Sequence, residues 1–117
     1  MSFNIREAKK QDARKFAGVD LLLKPWSWRH EHGYAIVEGQ VKNVSSQSID
    51  NIEAIVEFYT KDGTFITSDS SVIEYRPLLP GQTSPFKVYA TWNPAMGTAK
   101  INFKTLFGGL ISWTKEK

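Results

Sequence analysis

Apolar and polar positions alternate with a period of two from Tyr34 to Tyr59, and the rest of the chain is organised around that stretch. Along Tyr34-Ala35-Ile36-Val37-Glu38-Gly39-Gln40-Val41-Lys42-Asn43, the residues Ala35, Val37, Gly39 and Val41 share one face. Glu38, Gln40 and Lys42 share the other, the pattern of a strand with one buried side. Ile52, Ala54, Val56 and Phe58 repeat the alternation against Glu53, Ile55, Glu57 and Tyr59. Between the two runs, Asn43-Val44-Ser45-Ser46-Gln47-Ser48 supplies short polar side chains that bond nearby backbone and favour a turn. The stretch therefore predicts two neighbouring strands of a hairpin. The Asn43-Val44-Ser45 sequon reads as turn chemistry before it reads as a glycosylation site.

Further strands follow on both sides. Lys61-Asp62-Gly63-Thr64 is a turn signal in which Gly63 can take a positive φ without a Cβ clash. Phe65 to Tyr75 is rich in β-formers but interrupted by serines and Asp69, which predicts two short pieces or one bulged strand. Pro80-Gly81 suits the centre of a type II turn. Phe86, Val88, Ala90 and Trp92 alternate with Lys87, Tyr89 and Thr91, and Ala99 to Leu106 reads as the last long strand with Ile101 and Phe103 inward. The apolar tail from Phe107 to Trp113, broken by Gly108-Gly109, adds a final strand or covers one end. About seven short strands, with no long amphipathic helix between them, predict an all-β sandwich. Its expected core is Val37, Val41, Ile52, Val56, Phe58, Phe86, Val88, Ile101 and Phe103. Gly39 within that face marks a bulge or the close approach of a large neighbour such as a tryptophan from the preceding segment.

Residues 18–117 form the expected sandwich, preceded at residues 1–17 by a basic helix or tether. Asn4 can cap that helix with Glu7 reaching back, and Ile5, Ala8, Ala13 and Phe16 make a thin apolar stripe. The whole net charge of +3 lies in this segment, where Arg6, Lys9, Lys10, Arg14 and Lys15 face only Glu7 and Asp12. It reads as a solvated linker or as a basic segment drawn to an anionic membrane surface. The neutral body gives no support to nucleic-acid binding.

There are no cysteines, which excludes a disulfide framework, a thiolate nucleophile and cysteine-ligated metal. No apolar run approaches the ~18 residues that span a bilayer, and no signal-peptide core opens the chain, so a soluble chain is expected. Phosphate loops, nucleophile elbows and His-Glu-x-x-His are all missing. Glu53 and Glu57 share a strand face but stand about 13 Å apart along it, too far for paired-carboxylate catalysis. No catalytic residues and no cofactor are expected.

The most unusual local composition is Val19-Asp20-Leu21-Leu22-Leu23-Lys24-Pro25-Trp26-Ser27-Trp28-Arg29-His30-Glu31-His32-Gly33. Pro25 cannot donate to a ladder, so this strand is expected at an edge or broken in two. Extended, it places Trp26, Trp28, His30 and His32 on one side. The tryptophan pair could make a platform for a partner protein or a small ligand. His30 and His32 are the only imidazoles, and a metal held by them would need a carboxylate such as Glu38 or Asp20. Core or rim packing is the plainer reading of all four.

Several of these motifs also occur together in a known family. The order Val37-x-Gly39-x-Val41-x-Asn43 with a following serine, then Val56-Glu57-Phe58-Tyr59-Thr60-Lys61-Asp62-Gly63, then Leu79-Pro80-Gly81-Gln82 leading into Ser84-Pro85-Phe86-Lys87-Val88, resembles the FxLYD-type immunoglobulin-like β-sandwich domains of prokaryotes. The aromatic strand and Asp-Gly turn match loosely, since Thr60-Lys61 intervene between Tyr59 and Asp62, and the Pro-Gly turn matches better. The resemblance implies an immunoglobulin-like antiparallel sandwich, often secreted or membrane-tethered, with no catalytic residues to carry over. Two functional classes follow. One is a non-catalytic interaction module that binds protein or envelope components through an edge strand or the Trp26/Trp28 face. The other is a small-ligand or metal-binding sandwich that uses His30 and His32. A purely architectural domain would place all four residues in the core.

Overall fold

A computed structural model describes residues 16–117. They form eight strands: β1 (Leu21–Leu23), β2 (Ser27–Glu31), β3 (Tyr34–Asn43), β4 (Ile52–Tyr59), β5 (Phe65–Val72), β6 (Thr83–Thr91), β7 (Thr98–Thr105) and β8 (Trp113–Lys115). No helix occurs among the described residues. The expected N-terminal helix or tether lies outside them, apart from Phe16 and Ala17, which enter a turn with Gly18.

Two sheets face each other. In the first, β6 lies along one side of β3, while β1 and β2 lie end to end along the other. The gap between β1 and β2 falls at Lys24-Pro25-Trp26, where proline removes a ladder donor, as its position in the sequence implies. The second sheet has the order β5-β4-β7. Alternation along β4 buries Ile52, Ala54, Val56 and Phe58, and that face meets Val37, Val41, Phe86 and Val88 of the first sheet. Phe86 and Phe103 join the sheets edge to face at 5.7 Å. Every residue of the expected core is buried, each side chain contributing about 1.5–3 kcal/mol of apolar transfer energy.

The hairpin expected between β3 and β4 does not form, because the two strands belong to opposite sheets. Each carries a continuous apolar face, and those faces bury one another across the core instead of lying side by side. Asn43 anchors the crossing. Fully buried, its Nδ2 donates to the carbonyls of Gln47 and Leu78, and its Oδ1 accepts from the Ser45 amide and hydroxyl. The sequon asparagine is thus spent on turn chemistry.

The β5 segment is one strand, bulged at Ile66, since Phe58 pairs with Thr67 and Tyr59 with Phe65. The serine cluster runs through it without a break because those serines face solvent. Gly63 and Gly81 take φ values of 90° and 83°, as their turns require. The sandwich is also not wholly antiparallel, for β8 joins β1 in parallel, pairing Leu21 with Trp113. Gly39 has the large neighbours its position suggests. A Cβ there would lie 2.7 Å from the Trp26 Cβ and 2.8 Å from the Phe86 ring.

Candidate binding surface around strand β2

Strand β2 exists because Ser27–Glu31 pairs with Tyr34–Glu38 of β3 through a tight turn at His32-Gly33, where both residues have positive φ. Trp28 and His30 stand opposite Val37 and Ala35 and so face inward with them. Trp26 sits over Gly39, and both tryptophans are half-buried against the core. Trp28 meets Phe58 edge to face at 5.3 Å and tilts against Trp92 at 6.4 Å. His30 stacks on Trp92 at 4.0 Å. A ladder of rings thus runs from the core outward to the rim at His30.

His32 does not join this ladder. The turn takes it off the strand, leaving its side chain 86% exposed, with Nε2 3.6 Å from Glu31 Oε1. The structure therefore brings Trp28 and His30 together around Trp92, keeps Trp26 beside Gly39, and separates His32. Among the described residues no three His, Asp or Glu side chains are gathered as metal ligands.

The opposite face of β2 is the polar one. Arg29 donates to Glu31 Oε2 at 2.7 Å and also bonds Glu38, while Lys87 Nζ stands 4.0 Å from Glu38. Hydrogen bonds from Arg29 hold the Glu31 and Glu38 carboxyls below the usual carboxylate range, and the same bonds raise the Arg29 guanidinium. Beside this network Tyr34 and Tyr89 meet edge to face at 5.9 Å, each about half exposed (48% and 47%). Ile36 lies in register between Arg29 and Tyr89 and is buried on what alternation alone marks as a polar face. Strand β2 pairs only with β3 among the described residues, leaving its other edge open.

Reasoning from the sequence missed this outer face and Trp113. It placed Trp92 by parity in the inward series Phe86, Val88, Ala90, but local pattern does not show that Trp92 meets Trp28 and His30. Trp113 caps the other end of the open side, where its Nε1 donates to Asn102 at 3.1 Å. There Leu23, Trp26, Ile101 and Trp113 line a groove of about 450 Å³ with Lys100 and Lys115 on its rim.

No known protein-family model matches the sequence, and no curated protein matches it. Solved structures do. IrmA from Escherichia coli superimposes with a TM-score of 0.55 over 82% of this chain and 90% of its own, at 7% identity. A calcium-binding mutant (D341A D367A) of β-glucuronidase 2 from Bacteroides uniformis gives a TM-score of 0.55 at 16% identity, over 79% of this chain. The match spans only 13% of that enzyme. The likeness is one of fold.

Proposed function

We propose that this domain is a non-catalytic interaction module that receives an extended segment of a partner protein along the open edge of β2. The observation that carries this reading is the pairing of β2 on one side only among the described residues, beside an outer face built from Arg29, Glu31, Tyr34, Tyr89 and Lys87. An added strand gains its affinity from main-chain hydrogen bonds and its specificity from the side chains flanking the edge. Tyrosine and arginine, with tryptophan, are enriched among the residues that dominate binding at protein interfaces. Trp26 and Trp28 then serve as supports, pinning β2 to the core so that its edge is rigid when a partner arrives. The FxLYD-type resemblance supports an extracytoplasmic or envelope setting for such a module.

The test is affinity capture with the intact chain as bait, followed by hydrogen exchange on the captured complex. The expected result is a protein retained by wild type and lost with Arg29→Glu/Tyr89→Ala, together with slowed exchange of the Ser27–Glu31 amides. Retention by the variant, or unchanged exchange in β2, would refute the reading.

A further inference from the structure

The two sheets meet along one side of the sandwich and part along the other. Where they meet, Ser71 of β5 donates its hydroxyl to the Lys87 carbonyl of β6 at 2.6 Å. Where they part, β7 pairs with β4 alone among the described residues, apart from a bridge between Lys104 and Leu110. The first sheet is broken there at Lys24-Pro25-Trp26, so no continuous strand faces the β7 edge. The groove of about 450 Å³ occupies this opening, and its size is that of a small-molecule site.

Its apolar lining is Trp26 and Trp113 with the buried side chains of Leu23 and Ile101. Both indoles are held in place. Trp26 is seated against the β3 backbone, where a Cβ on Gly39 would lie 2.7 Å from its own. Trp113 meets Phe103 edge to face at 6.3 Å and donates Nε1 to Asn102 Oδ1 at 3.1 Å. An indole N–H can only donate, so it fixes the Asn102 oxygen toward Trp113 and leaves the Asn102 amide nitrogen without a partner among the described residues.

The charged side chains of the lining, Lys100 and Lys115, are both cationic. Lys100 stands over the Tyr59 ring at 4.9 Å, and Lys115 has no ion pair among the described residues. The neighbouring carboxylates are engaged elsewhere. Glu116 bonds Lys24 at 2.8 Å, and Glu57, opposite Lys100 in register, accepts from the Tyr59 hydroxyl at 3.1 Å. The groove thus combines two indole rings, two ammonium groups and an amide donor, with no carboxylate in its lining.

We propose that this groove binds a small aromatic carboxylate, its flat ring seated against Trp26 and Trp113 and its anionic group held by Lys100, Lys115 and the Asn102 amide. An uncharged ring would gain only the aromatic packing, and an inorganic anion only the charge. A molecule that carries both uses the whole lining. The groove shares no residue with the outer face of β2, so this reading and that of the β2 edge stand or fall independently.

The test is titration of the isotope-labelled full chain with naphthalene-2-carboxylate, followed by NMR through the indole N–H signals of Trp26, Trp28, Trp92 and Trp113. Naphthalene-2-carboxamide serves as the uncharged counterpart. The expected result is saturable shifts of Trp26 and Trp113, with Trp28 and Trp92 unmoved, and binding that weakens with salt. The carboxamide should bind wild type, and the carboxylate should bind Lys100→Gln/Lys115→Gln, about tenfold more weakly. Both lysines are exposed, so the variant keeps its fold, which unchanged Trp28 and Trp92 signals verify. Absence of shifts at Trp26 and Trp113, equal binding of carboxamide and carboxylate, or full affinity in the lysine variant would each overturn the proposal.

Discussion

The imidazole of His30 lies flat on the indole of Trp92, with centroids 4.0 Å apart and planes 7° from parallel. The contact links β2 to the end of β6 across β3, and it is possible because the residues between them in register, Ala35 and Ala90, are small. Trp92 also touches Trp28, so one indole supports both inward side chains of β2.

Trp92→Ala should therefore cost about 2–4 kcal/mol, whereas His30→Ala, at the rim, should cost about 0.5–1 kcal/mol. Urea denaturation of both single variants and the double variant gives their coupling, expected at about 0.5–1 kcal/mol. Strict additivity would mean that the stack contributes nothing to holding β2.

A second expectation concerns the backbone beneath Trp26. Gly39→Ala would put a methyl 2.7 Å from the Trp26 Cβ and 2.8 Å from the Phe86 ring, and neither neighbour is the loose end of a flexible chain. Overpacking of this kind costs about 1–3 kcal/mol. Shortening the ring by Phe86→Leu should make the same glycine substitution less costly. An unchanged denaturation midpoint for Gly39→Ala alone would show that Trp26 and Phe86 yield freely to the added methyl.

The Arg29 network makes stability depend on pH. Because Glu31 and Glu38 have carboxyls lowered by hydrogen bonds from Arg29, their contribution is fully present above the unfolded-chain value of about 4.3 and is lost as pH falls through the lower folded-state values. Thermal midpoints should fall on acidification below about pH 4.3, and Arg29→Gln should flatten that part of the profile. A variant whose acid profile matches wild type would place the acid sensitivity elsewhere, Asp62 with its bonds from Thr60 and Thr64 being the next group to examine.

Alternation made β3, β4, β6 and β7 legible, along with their core residues, since a period of two states directly which side chains are buried. Pro25 and Gly39 were equally readable, each forced by a simple steric fact. What alternation does not encode is the sheet to which each strand belongs. Two strands with good apolar faces can lie side by side or face to face, and here the buried side chain of Asn43, bonded to Leu78 thirty-five residues away, belongs to the face-to-face answer. The candidate surface is less legible for a related reason. Trp26 and Trp28 stand out in the sequence as large aromatics; packing against the core leaves them half-buried, while Arg29 and Tyr34 are exposed on the outer face. Ile36, buried on the outer face, depends on cross-strand neighbours that no local pattern names.

The parallel pairing of β1 with β8 has a consequence for assembly. Leu21 and its neighbour Trp113 stand ninety-two residues apart in the chain. Among the described residues β1 has β3 on one flank and β8 on the other, so the seam beside Leu21–Leu23 closes only through a contact of very long range. Loss of Trp113–Lys115 would therefore leave three buried leucines beside an unpaired strand edge, the kind of edge that recruits a second chain.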